Sequence, residues 1–323
     1  MSPLAPAPAV PRPRAGIGQT AALMALLAAA LALAYGLGSS YGAGLVTRTA
    51  ILALAAVSLS FLIGQAGLVS FGHAAPLGIG AYAVLIAGEY DMTNILAVLP
   101  LAFGAAALFA LATGAIALRT RGVYFIMITL AFAQMVFYVA ASLSAFGGDD
   151  GMAIAARSTF FGARILKPDL HLALLAIALL AAAALGLEHL AASRYGLMLR
   201  AGRENETKLE ALGLDPYRHR LIAISVAGGI AGVAGALLAN QVEYVSPSTM
   251  NWHLSGELIV MVVLGGSRRL GGAVIGAMVV VLLDEALGRF TEHWKLGLGL
   301  VILGAVLFRG AEVRALLGKF SHG

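Results

Sequence analysis

Few residues in this chain could do chemistry. Ser70 and His73 stand three apart, a spacing that could just bring a hydroxyl and an imidazole within the roughly 2.6–3.2 Å a nucleophile and its base require. No third group is evident to orient the imidazole, and the Gly-x-Ser-x-Gly elbow of serine hydrolases is missing. His171, His189, His219, His253, His293 and His322 form no His-Glu-x-x-His metal pair. There is no cysteine, which removes disulfides, thiolate metal sites and cysteine catalysis together. No Gly-x4-Gly-Lys-Ser/Thr phosphate loop occurs. The expectation is a chain with no catalytic residues, no metal and no cofactor of its own.

The elements that hold these residues are read from composition. Of 323 residues, 60% are hydrophobic and 11% charged, with 40 glycines and a mean hydropathy of +0.91. A soluble domain is about half apolar and roughly a quarter charged, so this is an all-α membrane protein. Apolar runs fall at roughly 19–37, 45–63, 74–88, 93–117, 123–145, 170–191, 219–240, 255–267, 270–287 and 294–309, which predicts about ten transmembrane helices. Two are short: 74–88 carries Pro76, Gly78 and Gly80, and 255–267 ends in Gly265-Gly266. Broken or re-entrant pieces of this kind are tolerated where protein or water satisfies the backbone. Residues 1–18 read as a disordered Pro-rich tail, 19–310 as the membrane domain and 311–323 as a second tail.

Charge sets the orientation. Of the 21 Lys and Arg, only Arg48, Arg157, Arg164, Lys167, Arg289 and Lys295 fall on one side of the ten-span map. The basic majority marks the cytoplasmic side, with both termini inside. The net charge of +5 therefore reflects basic loops beside lipid rather than nucleic-acid binding. None of the acidic residues is clearly mid-membrane: Glu188, Glu257, Asp284 and Glu285 sit near span ends and the rest lie in loops. Ion-driven carriers usually place a carboxylate at that depth. An ion-coupled secondary carrier is thus disfavoured, and any ATP would be hydrolysed on a separate subunit.

The longest cytoplasmic segment, 193–220, holds a candidate docking element. Thr207-Lys208-Leu209-Glu210 matches a capping box, Gly213 suits a left-handed helix stop and Pro216 cannot continue the helix. Leu209 and Leu212 share a face at i, i+3. The sequence predicts a short, charged, partly apolar helix, compatible with a plain solvated loop or with a partner.

Four ordered blocks resemble a known family. Gly64-Gln65-Ala66-Gly67-Leu68-Val69-Ser70-Phe71-Gly72-His73-Ala74-Ala75, continuing through Gly78-Ile79-Gly80-Ala81-Tyr82, resembles the Gly-rich signature of branched-chain amino acid ABC importer permeases. Arg119-Thr120-Arg121-Gly122-Val123-Tyr124-Phe125, with Ile128 to Phe132, is similar to a stretch of the LivM-type subunit. So are Ser193-Arg194-Tyr195-Gly196, Arg203-Glu204-Asn205-Glu206 and Glu210-Ala211-Leu212-Gly213 in its long loop. Val245-Ser246-Pro247, Ser255-Gly256-Glu257, Met261 to Gly266 and Gly271 to Ala277 match its C-terminal half. Departures occur at Arg268-Arg269, at the outer Phe146-Gly147-Gly148-Asp149-Asp150-Gly151 and at Leu307-Phe308-Arg309-Gly310.

The resemblance implies a type II-like importer permease in a bacterial inner membrane. Its partners would be a second, homologous permease, two cytoplasmic ATPase subunits and a periplasmic solute-binding protein. Arg203, Glu204, Glu206, Thr207, Glu210, Ala211, Leu212 and Gly213 become the ATPase-coupling loop. Gln65, Ser70, His73, Tyr82, Phe125 and Thr129 become candidates for the translocation pathway, with close helix packing the alternative for the Gly-rich segment and for Phe125 and Thr129. The implied solute is a branched-chain or other hydrophobic amino acid, with urea, an amide or another small polar solute as the alternative.

Overall fold

The computed structural model describes residues 17–36, 39–154, 157–160, 163, 169–266, 270–289, 296–297, 299–300 and 303–304. Among these, the chain is built of helices: α1 (Ile17–Gly36), α2 (Ser40–Phe61), α3 (Ala74–Glu89), α4 (Ile95–Ala117), α5 (Val123–Ser142), α6 (Asp169–Ala192), α7 (Arg194–Glu204), α8 (Glu206–Ala211), α9 (Pro216–Val242), α10 (Trp252–Gly265) and α11 (Leu270–Gly288). A π-helical turn, Leu62–Ala66, continues α2. Among the described residues, sheet is confined to β1 (Met152–Ala153) and β2 (Tyr244–Val245), paired antiparallel.

Among the described residues, six helices are long and apolar enough to cross a bilayer, and α1, α3 and α10 are shorter apolar helices. Nine of the ten runs expected from sequence are therefore helices, as an all-α membrane protein requires. Of the tenth run, near 294–309, only residues 296–297, 299–300 and 303–304 are described, each as helix, and the tails lie outside the described residues, except that α1 already begins at Ile17. Only α7 and α8 are polar, and they define one end of the bundle, here the α8 end. The β1–β2 clasp marks the opposite end.

Burial follows sequence character. A helix that is apolar all round belongs inside, and α2, with every residue from Thr49 to Phe61 buried, packs against α6, α9, α10 and α11. Small residues bring α3, α4 and α9 into backbone contact. A Cβ on Gly80 would collide with the Gly232 carbonyl, one on Gly235 with the Leu77 carbonyl, and one on Gly232 with Ala102 and Ala106. In lipid, close approach through small residues supplies the packing that the hydrophobic effect supplies in water. A second seam joins α10 to α11, where Gly265 faces Gly272 and Gly276 faces Met261. In contrast, α5 buries only Phe125, Ala133 and Ala140.

Two helices are too short to span alone. At 1.5 Å per residue, the 16-residue α3 covers about 24 Å and the 14-residue α10 about 21 Å, against a hydrocarbon core of about 30 Å. Each begins inside the protein. The Gly-rich segment leads into α3, and the 3-10 turn Pro247–Met250 leads into α10. The interruption expected from Pro76 is thus realised as a late start rather than as a break, whereas Gly265-Gly266 ends α10, with Gly266 at φ +89°. Pro76 sits in the first turn of α3, where its missing N–H costs nothing.

Candidate functional site

The Gly-rich segment turns where α2 ends. Gly67 has φ +71°, a left-handed conformation that glycine adopts without steric cost. Ser70 Oγ accepts from the Gly72 amide at 3.2 Å, and the Phe71 amide donates to Thr129 Oγ1 at 3.3 Å. Thr129 Oγ1 in turn donates to the Ile126 carbonyl at 2.9 Å. Gly72 lies so close to α5 that a Cβ there would sit 2.5 Å from the Thr129 carbonyl. His73 is buried, with Nε2 2.8 Å from Ser58 Oγ. The Ser58 hydroxyl donates to the Ala55 carbonyl at 2.7 Å, so the imidazole donates to Ser58. The nucleophile–base pair that spacing permitted is not formed: Ser70 serves the turn and His73 answers to Ser58.

These groups surround a small cavity of about 40 Å³, lined by Ser70, Gly72, His73 and Pro76, by Phe109, Ala110, Thr113 and Gly114, and by Phe125, Thr129, Phe132, Ile224 and Gly228. One buried water needs at least about 10–15 Å³ measured this way, so the space holds a few waters and no amino acid. Four expected pathway residues meet here: Ser70, His73, Phe125 and Thr129. Gln65 and Tyr82 do not. Tyr82 is buried in a second apolar cluster with Ala81, Val84 and Met250. Phe125 lines both this cavity and an open vestibule of about 590 Å³ at the α8 end, and so forms the partition between them.

Gln65 belongs to a different assembly. Arg200 of α7 donates to Gln65 Oε1 at 2.7 Å and to the Ala191 carbonyl at 2.8 Å. Arg203, one turn on, donates to the Gly64 carbonyl at 2.6 Å. Both guanidinium groups therefore sit on the π-turn that closes α2. The end of a helix leaves carbonyls without partners and carries partial negative charge, so Arg203 satisfies one of them directly, while Arg200, held on the Gln65 side chain, adds a second positive charge. Arg203 also covers Gly67, where a Cβ would lie 2.8 Å from its Cγ.

The following loop differs in detail from the capping-box reading. The N-cap of α8 is Asn205, whose Oδ1 accepts from the Lys208 amide at 3.0 Å, not Thr207. Asparagine at that position outcompetes the pattern two residues later because it reaches the free donor directly. The C-terminal reading holds: Gly213, at φ +78°, donates to the Glu210 carbonyl at 2.9 Å and Leu214 to the Leu209 carbonyl at 3.2 Å, a Schellman arrangement. Pro216 opens α9 behind the Asp215 N-cap. Leu209 and Leu212 do not share a fate. Leu209 is buried against Gly202, whereas Leu212 is 76% exposed.

Glu206 fastens α8 to its surroundings through ion pairs with Arg121, at 2.5 Å, and with Arg220. Arg220 also donates to the Gly202 carbonyl at 3.0 Å. Tyr195 donates to the His219 carbonyl at 2.6 Å, and burial pushes its hydroxyl up to about 12, so it remains a donor throughout the physiological range. Glu204, Thr207, Glu210, Ala211, Leu212 and Gly213 remain exposed on the loop.

The profile described as "Branched-chain amino acid transport system / permease component" matches residues 41–308. The chain belongs to that permease family. It is 27% identical over 310 residues to the high-affinity branched-chain amino acid transport system permease protein LivM of Salmonella typhimurium, covering 89% of this chain and 73% of the relative. Identity to LivM of Escherichia coli is also 27%, over 82% of this chain and 68% of the relative. A shorter similarity, 32% over 130 residues, links 38% of the chain to 37% of the autoinducer 2 import system permease protein LsrC of Salmonella paratyphi B. No solved structure gives a significant match. Membership makes this chain a transport component embedded in a membrane.

Sequence reasoning missed Arg200, Gly64, Asn205 and Ser58. Each acts through a partner far away or through a backbone atom, as Arg200 does across 135 residues to Gln65. The one local signal was Asn205 itself, a strong capping residue immediately ahead of Glu206.

Proposed function

We propose that this chain is the permease subunit of an ATP-driven importer in a bacterial inner membrane, with the α8 end and both termini cytoplasmic. It takes branched-chain or other hydrophobic amino acids from a periplasmic binding protein and forms the pathway with a second, homologous permease. Two cytoplasmic ATPase subunits supply the energy. The observation that carries this reading is the bonded path from an exposed loop to a small cavity between the helices. Loop 203–213 offers Leu212 and mixed charges at its surface, and Arg203 and Arg200 bind it to the π-turn that leads into the cavity wall. A rigid element so attached can convert closure of a partner into motion of the bundle.

Arg203, Glu204, Glu206, Thr207, Glu210, Ala211, Leu212 and Gly213 are the coupling segment, with Leu212 seated in the ATPase and the charges setting register. Ser70, His73, Phe125 and Thr129 are the gate. Weak, transient contacts suit a pathway fed by a binding protein, because a tight site would trap the solute.

Reconstitution with the partner permease, ATPases and binding protein tests this directly. Uptake of labelled leucine that requires both ATP and the binding protein is the expected result. Uptake that proceeds without ATP and collapses with an ion gradient would overturn it. The second reading, the same machine carrying a small polar solute, draws on the similarity to an autoinducer 2 permease. ATPase stimulation by a binding protein loaded with urea but not with leucine would favour it.

A further inference from the structure

Helix α9 is a depth gauge for the bundle. It has 27 residues, about 40 Å of rise, and Gly228 stands near its middle. Pro76 of α3 lies beside Gly228, since a Cβ on that glycine would sit 3.7 Å from Pro76 Cγ. The start of α10 is pinned to the same level from both sides. Met250, just before it, fills the space over Gly78. Ser255, one turn into it, accepts from the Ala74 amide at 2.9 Å. Asn251, Trp252 and His253 therefore lie level with the first turns of α3 and the middle of α9, which places them deep in the span, beside the small cavity that Pro76 and Gly228 line.

At that level, Asn251 is half-buried and the two rings beside it are open. Trp252 is 42% exposed and His253 is exposed as well. Asn251 Oδ1 accepts from the His253 amide at 3.1 Å and lies 2.7 Å from His253 Nδ1. The indole and imidazole rings stack with centroids 3.9 Å apart. An exposed imidazole facing hydrocarbon would lose its hydrogen-bond partners at considerable cost. Polar and ionisable side chains within the membrane face a water-filled cavity or a protein interior. A helix that starts at mid-membrane obeys the same restriction, because its first amides need partners.

We infer that Asn251, Trp252 and His253 form a water-facing station in the translocation pathway, contacted by the solute in transit. The inference rests on the importer reading and adds to it the residues that meet the solute. The stacked rings offer a flat apolar face, while the Asn251 amide and the outer imidazole nitrogen offer hydrogen bonds. That combination matches an amino acid with an apolar side chain, whose charged groups need polar contacts while its hydrocarbon needs a dry surface. None of the three was among the pathway residues suggested by the sequence.

The absence of native cysteine makes the test direct. Asn251→Cys and His253→Cys are each made in the full chain, with Leu108→Cys, an exposed apolar position on α4 that is 67% exposed, as the lipid-facing reference. The assembled complex in native membranes is treated with a charged, membrane-impermeant thiol reagent. Reaction requires a hydrated thiolate, so the two test positions should react about tenfold or more faster than the Leu108 variant, and excess leucine should slow them. Reaction at the reference rate for both positions would overturn the inference. So would fast reaction that leucine leaves unchanged in a complex that imports leucine. Loss of the importer reading shows separately, as absent ATP-dependent uptake by the unsubstituted complex.

Discussion

Arg203 of α7 holds the carbonyl of Gly64, the third residue of the π-turn, at 2.6 Å. An arginine on a polar surface helix is thus bonded to the backbone of the most buried membrane helix. A π-turn is one extra residue accommodated in a helix and is frequent at functional sites. Here it ends directly before the segment that walls the cavity.

The first prediction concerns that bond. A hydrogen bond to a charged group is worth about 1.5–3 kcal/mol, so Arg203→Ala should lower ATP-dependent uptake about tenfold or more. ATP hydrolysis by the assembled complex should continue. Arg203→Lys, which keeps the charge but not the planar fork, should fall between. Parallel measurement of uptake and hydrolysis checks this, and equal loss of both would contradict a coupling role.

Gly67→Ala is expected to act on the same joint through strain. The residue is left-handed at φ +71°, which costs an L-residue about 1–2 kcal/mol, and the new methyl would press on Arg203. A lower thermal denaturation midpoint in detergent, with the same uptake defect as Arg203→Ala, is the expected pattern.

Removing the partition should produce a leak. Phe125 is 3% exposed and separates the cavity from the vestibule, so Phe125→Ala should let solute pass down its gradient without ATP. Efflux of labelled leucine from loaded vesicles, with and without nucleotide, measures this. Unchanged passive efflux would show that the closure lies elsewhere.

The coupling segment gives a fourth prediction. Gly213→Pro places a fixed negative φ where the chain needs +78°, and it removes the amide that donates to Glu210. Glu210→Lys reverses an exposed charge. Both variants should insert normally and fail to co-purify with the ATPases. Normal complex yield and normal uptake in both would contradict the assignment.

What the sequence made legible followed from periodicity and composition. Nine apolar runs appear as helices, the two short ones as late-starting helices, and Gly213 stops α8 as its type and place suggested. That Ser70, His73, Phe125 and Thr129 would meet around one cavity was legible, because Ser70 and His73 sit in one local turn and Phe125 and Thr129 are a helical turn apart. Gln65 belonged with them by proximity alone, but its amide is taken by Arg200, a partner that no local pattern announces. Tyr82 faces the other way round α3, into the cluster around Met250. Asn251, Trp252 and His253 carried no signal because their depth depends on where α10 begins, which α3 fixes through Gly78 and Ala74.

The glycine seams have a mechanical result. With backbones touching along α3–α9 and α10–α11, those helices have no side-chain layer to shear, so each pair behaves as a single stiff beam. Compliance is left to α5, anchored at three buried positions, and to the strip from Gly67 to His73. Whatever stroke the subunit makes is concentrated in that narrow band, and substitutions that stiffen it should freeze the cycle even where they stabilise the fold.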